Sequence, residues 1–123
     1  MRKIVLSVHE FMTIMGGLDE ELKSGGTEGR AVYEAWLDQW KALEEKTSNL
    51  QPMEYADLLF DGKVTINAIS DEQLDDVIGF VDRLIAGHQA LIDEDDMDAD
   101  PEELESWQKR RRELNDLRAV QPS

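Results

Sequence analysis

The chain contains no cysteine and only two histidines, His9 and His88. The first absence removes disulfide frameworks, thiol nucleophiles and thiolate metal sites. The second leaves too few imidazoles for a protein-held catalytic zinc. His9-Glu10 starts like the zincin helix motif, yet Thr13 stands where the second histidine belongs. Long apolar runs are also missing. The run after Arg2-Lys3 stops at His9-Glu10, short of the roughly 7–15 residues of a secretory h-region, and no stretch elsewhere approaches a membrane span. A cytoplasmic protein with no membrane contact is expected. Basic residues are scarce too: 13 Lys and Arg face 28 Asp and Glu, for a net charge of −15. Such a balance repels nucleic acid and acidic membranes and attracts basic protein surfaces, so direct nucleic-acid binding is not expected.

What is present argues for a folded domain. Apolar residues make up 41% of the 123 residues and include Trp36, Trp40 and Trp107, too much for a disordered acidic tail. The length suits one domain. The acids are unevenly spread. Residues 17–60 carry ten acids against four bases, residues 61–100 carry twelve against two, and residues 101–123 balance five against five. Two-thirds of the net charge therefore lies in one forty-residue stretch, directly before Lys109-Arg110-Arg111-Arg112.

The local patterns predict a mainly α domain of four to five helices with at most a two-stranded β element. Ile4–Leu6 is β-branched and reads as a strand. Ser7-Val8-His9-Glu10 is a capping box that starts a helix through Met15, with Gly16-Gly17 expected to end it. Residues 16–29 then read as a glycine-rich, flexible segment with a helical turn at Leu18–Lys23. Across 27–46, Val32, Tyr33, Trp36, Leu37, Trp40 and Leu43 recur at three- and four-residue steps along one apolar face. Asp61-Gly62 is open to two readings, a hairpin turn or a helix end with Gly62 left-handed. Because Met53–Leu59 does not alternate, the helix end is favoured, with Val64–Ile66 pairing with Ile4–Leu6. Ser70-Asp71-Glu72-Gln73 caps a long helix over 71–92 whose stripe is Leu74, Val77, Ile78, Val81, Leu84, Ile85, His88 and Leu91. Gly79 and Gly87 inside it suggest close packing or a break. Asp93–Asp100 is an acidic linker, and Asp100-Pro101 opens a last helix over 101–119.

No constellation names a reaction. Counted from Asp96, the acidic linker supplies aspartates at calcium-loop positions 1, 3 and 5, but Pro101 occupies the glycine position and Trp107 the final glutamate position. Glu102-x-x-Glu105 and Glu113-x-x-Asp116 have the form of magnesium-holding pairs, yet they fall on one helix about 12 Å apart along its axis. Lys23-Ser24 lacks the glycines of a phosphate loop. Trp36 and Trp40 lie one turn apart on an apolar face and read as core. His88 continues an apolar stripe and reads as a hydrogen-bonded histidine at the core edge. We therefore expect no enzyme, no cofactor and no resident metal.

The acids carry the sharper expectation. Asp71, Asp75 and Asp82 share a face of the 71–92 helix, Asp76 lies beside them, and Asp93, Glu94, Asp95, Asp96, Asp98 and Asp100 extend the array. Duplex DNA presents one charge per roughly 1.7 Å of axis, so a protein that imitates it needs a dense, fixed set of carboxylates. In composition the chain resembles phage and mobile-element inhibitors that block DNA-binding sites: small, acidic, mostly helical and without a catalytic motif. The expected role is an inhibitor that occupies a basic, nucleic-acid-binding surface of a partner protein. The alternative is an acidic adaptor or assembly factor that binds, or forms a homodimer, through a helix seam of Leu104, Trp107, Arg111 and Leu114. The run 109–112 reads either as a clamp on the chain's own acids or as an anion site.

Overall fold

A computed structural model describes residues 2–119. The chain runs β1 (Arg2–Ser7), α1 (Val8–Lys23), α2 (Arg30–Thr47), α3 (Pro52–Asp61), β2 (Lys63–Ile69), α4 (Asp71–Asp93) and α5 (Pro101–Ala119). It is the mainly α domain with a two-stranded sheet that the patterns predict. β1 and β2 pair antiparallel, with Ile4 opposite Ile66 and Leu6 opposite Val64. That register turns Ile4, Leu6 and Ile66 into the core.

Both capping boxes form. Ser7 Oγ accepts from the Glu10 N–H at 3.1 Å while Glu10 Oε1 accepts from the Ser7 N–H at 2.9 Å. Ser70 and Gln73 repeat the exchange at the start of α4. Each box satisfies backbone donors that a helix start leaves without partners.

α1 does not stop at Gly16-Gly17. It continues to Lys23, and its buried residues are Val8, Phe11, Ile14, Met15 and Leu18. Gly17 serves packing instead of termination: a Cβ there would lie 2.3 Å from Cζ of Phe80 on α4. The glycine-rich loop is thereby shortened to residues 24–29, and α2 begins at Arg30, three residues later than its periodicity suggests.

Asp61 ends α3 and β2 follows directly, so the hairpin is not formed. Gly62 is extended (φ −73°, ψ 150°) and not left-handed. Its N–H donates to the Leu58 carbonyl at 2.9 Å and its carbonyl accepts from the Val8 N–H at 3.0 Å. A side chain there would meet the Leu58 oxygen at 2.5 Å and Val8 at 2.9 Å, so glycine is required by crowding.

α4 is continuous from Asp71 to Asp93. A Cβ at Gly87 would meet nothing within 4 Å, and one at Gly79 only the Arg83 guanidinium at 3.4 Å, so neither glycine marks a close approach or a break. The buried stripe is Leu74, Val77, Phe80 and Val81, with Phe80 in a place the pattern had not assigned. The core joins this stripe to α1, to Val32 and Trp36 of α2, and to Trp107 and Leu114 of α5. Phe11 and Trp36 stack at 5.8 Å within it. Trp40 is only half-buried and meets Tyr33 edge-on at 6.2 Å. Among the described residues no helix is long and apolar enough to cross a membrane.

Candidate functional site: the acids of α4 and α5 and their counter-ions

α4 and α5 lie antiparallel, which sets the acids of one against the arginines of the other. Arg111 Nε donates to Asp82 Oδ1 at 2.7 Å and Arg118 Nε to Asp75 Oδ1 at 2.8 Å. Arg118 also lies 3.6 Å from Asp71. The Asp75 hydrogen bond, with the Asp71 and Asp75 charges, raises the Arg118 pKa above its ordinary value. Asp76 has a different partner: its Oδ2 accepts from the Val32 N–H at 3.3 Å. It thus caps α2 from across the fold, where Gly29 offers no side chain.

The four aspartates of α4 assigned to a partner therefore have partners inside the chain. Basic residues of the last helix clamp onto acids of the same chain, and Arg111 and Arg118 do most of the work on α4.

Arg110 turns the other way, to α1. It grips Glu10 with Nε and Nη2, both at 2.7 Å, and reaches Glu113 at 2.9 Å. Burial pushes the Glu10 carboxyl up. The hydrogen bonds from Arg110 and the Ser7 backbone, with the Arg110 charge, outweigh that and hold it below its ordinary value. Arg110 is raised, first by its hydrogen bond to Glu10. Arg83 of α4 makes a second fork, to Glu21 at 2.7 and 2.9 Å, and a bond to Glu28 at 2.9 Å. This fork ties the end of α1 and the glycine-rich loop to α4. Glu103 accepts at one oxygen from Trp107 Nε1 at 2.8 Å and contacts His9 Nε2 at 2.9 Å.

The turn between the helices is different. Asp93, Glu94, Asp95, Asp96 and Asp98 are exposed, and none makes an ion pair among the described residues. Their hydrogen bonds are short-range: Gln89 donates to Asp93, and the Asp98 N–H donates to Asp96 Oδ1 at 2.8 Å. Asp100 caps α5 by accepting from the Glu103 N–H at 3.1 Å. Asp95 adopts φ 53°, and the Asp96 N–H returns to the Leu91 carbonyl at 2.9 Å, so the turn has a defined shape. Met97 stands fully exposed at its crest. Glu102 and Glu105 continue the exposed acids into α5.

Leu104, Trp107 and Leu114 are buried in the chain's own core. With Arg111 paired to Asp82, the seam proposed for an adaptor or homodimer faces inward and offers no apolar anchor to a partner. The periodicity was legible, but it marks where α5 packs on α4. Among the described residues no three acids or histidines converge to hold a metal ion. His88 departs from expectation as well, because its Nδ1 is buried without a hydrogen-bond partner.

The Arg83 and Arg118 clamps were missed at the level of sequence. For Arg118 a signal existed: Asp75 and Asp82 are seven apart, as are Arg111 and Arg118, on helices joined by a short turn. Two matched two-turn spacings on an antiparallel pair imply a ladder of ion pairs. Arg83 had no such signal, since its acids lie about sixty residues away in sequence.

No family model, curated protein or solved structure matches this chain at a significant level.

Proposed function

We propose that this protein acts by occupation, covering a basic surface of a partner protein that ordinarily holds nucleic acid. The observation that carries this reading is the division of the acids. Arginines neutralise Asp71, Asp75 and Asp82 within the chain, whereas Asp93–Asp98 stand exposed and without counter-ions beside Glu102 and Glu105. The docking surface is therefore the α4–α5 turn, the second half of the array that spacing suggests, together with the first turns of α5 and without the α4 face. Unpaired carboxylates on a shaped turn steer a basic partner at long range and compete with phosphates for the same cations. Met97 adds one apolar contact at the centre of the patch.

The test is retention of proteins from a nuclease-treated lysate of the source cell on the immobilised chain. A salt gradient elutes them, with duplex DNA as competitor. The expected result is a retained protein that elutes steeply with salt and is displaced by DNA. Retention should be lost when Glu94, Asp95, Asp96 and Asp98 become Gln or Asn together, and kept when Asp75 and Asp82 become Asn. Retention indifferent to salt, to DNA and to the turn variant overturns the reading.

A further inference from the structure

In a chain with 28 acidic residues, one groove contains none. It runs between α2 and β2 and comprises two confluent hollows of about 350 Å³ each, which share Gln39 and Thr65. The first has Phe11, Leu43 and Val64 as its apolar lining, with Lys46 and Lys63 beside them. The second is lined by Trp36 and by β2 from Thr65 to Ala68. Neither lysine makes an ion pair among the described residues.

The strand beside the groove says what fits there. Consecutive residues of β2, from Lys63 to Ala68, line the groove, although neighbouring side chains of a strand point to opposite faces. The groove therefore follows the strand's edge and not one of its faces. β2 pairs only with β1 among the described residues, so backbone donors and acceptors on its far edge have no strand to meet. Trp36 is 2% exposed, and its Nε1–H is buried with no acceptor. A buried donor without a partner is uncommon and costly, and it leaves the wall of the second hollow with unmet polarity. At the far end Ala68 holds φ 59° and is skipped in the register between Asn67 and Ile69. This is a bulge in the β1–β2 ladder, and it bends β2 at the end of the groove.

We propose that the α2–β2 groove binds an extended peptide, which adds as a third strand to the free edge of β2. Its backbone pairs with the β2 edge, an apolar side chain sits over Phe11 and Leu43, and an acidic side chain reaches Lys46 and Lys63. Main-chain pairing of this kind supplies affinity, and pockets for alternate side chains supply specificity. The charge complement selects a foreign acidic segment over a second copy. Two copies would also have to meet against a charge of −15 on each. This groove is built by elements other than the acidic turn, so either site stands without the other.

The probe is a displayed library of linear, end-capped heptapeptides selected on the intact chain. Sequences alternating β-branched residues with Asp or Glu should be enriched. A synthetic member should slow hydrogen exchange at β2 amides and shift the Trp36 indole N–H resonance. The double variant Lys46→Gln, Lys63→Gln, which changes only exposed side chains, should stay folded and bind this peptide at least about tenfold more weakly. No enrichment, or selected peptides that leave the β2 amides and the Trp36 indole unmoved, overturns the proposal. So does sedimentation showing that β2 is covered by a second copy.

Discussion

Gly16 and Gly17 are neighbours in one helix, and replacing each by alanine should change stability in opposite directions. Both lie inside α1, where alanine is favoured over glycine by about 1 kcal/mol. At Gly16 an added Cβ meets nothing within 4 Å, so Gly16→Ala should realise most of that gain. At Gly17 the same atom would lie 2.3 Å from Phe80 Cζ and 2.6 Å from Cε1. Carbon atoms rest near 3.5–4.0 Å apart, so the ring must retreat by roughly 1 Å. Phe80 is 5% exposed, and its ring has little room to move. Overpacking of this kind costs about 1–3 kcal/mol, which cancels the propensity gain and leaves Gly17→Ala destabilised by up to about 2 kcal/mol. Urea denaturation of the two variants measures the difference directly. The double variant Gly17→Ala, Phe80→Leu should recover part of the loss, because the shorter side chain vacates the contact. If both alanines stabilise α1 equally, Gly17 is not a packing glycine, and the contact of α1 with α4 is looser than described.

The remaining predictions concern charge and core. Arg110→Met should destabilise by roughly 1–3 kcal/mol, between the worth of an exposed and a buried pair, because Glu10 and Arg110 are 14% and 19% exposed. The Glu10 carboxyl is held below its ordinary 4.5 in the folded state, so its contribution is complete above that value and disappears as pH falls through the lower folded pKa. Urea melts between neutral pH and pH 3 should therefore show a shallower acid loss in Arg110→Met than in the parent. The coupling of Asp82 to Arg111, measured by a double-mutant cycle, should be at most about 1 kcal/mol and should shrink in 1 M salt, since Asp82 is 54% exposed. Trp107→Ala should cost about 3–5 kcal/mol by thermal or chemical denaturation. A change near zero would return Trp107 to the surface and revive the helix seam.

Most elements were legible because each carries its own local cause. Ser7 with Glu10 and Ser70 with Gln73 are short-range hydrogen-bond pairs, readable from a four-residue window. The strand pairing of Ile4–Leu6 with Val64–Ile66 follows from two β-rich segments with no other strand available. The errors fall where a distant residue decides. Gly17 looks like a helix end until Phe80 stands against it. Gly62 looks left-handed until Leu58 and Val8 crowd it. Arg111 and Leu114 form a seam in the sequence whichever partner they meet.

The acids show the same division. Composition and order along the chain determined by themselves that this is a small, mainly helical, strongly anionic protein, because helix periodicity, caps and net charge are properties of neighbouring residues. Which carboxylates remain available to another molecule was decided only by the tertiary structure. Ion pairing depends on the direction in which α5 returns along α4 and on which turns come level. That return pairs Arg111 and Arg118 with α4, gives Asp76 to α2, and leaves the turn from Asp93 to Asp98 without a counter-ion.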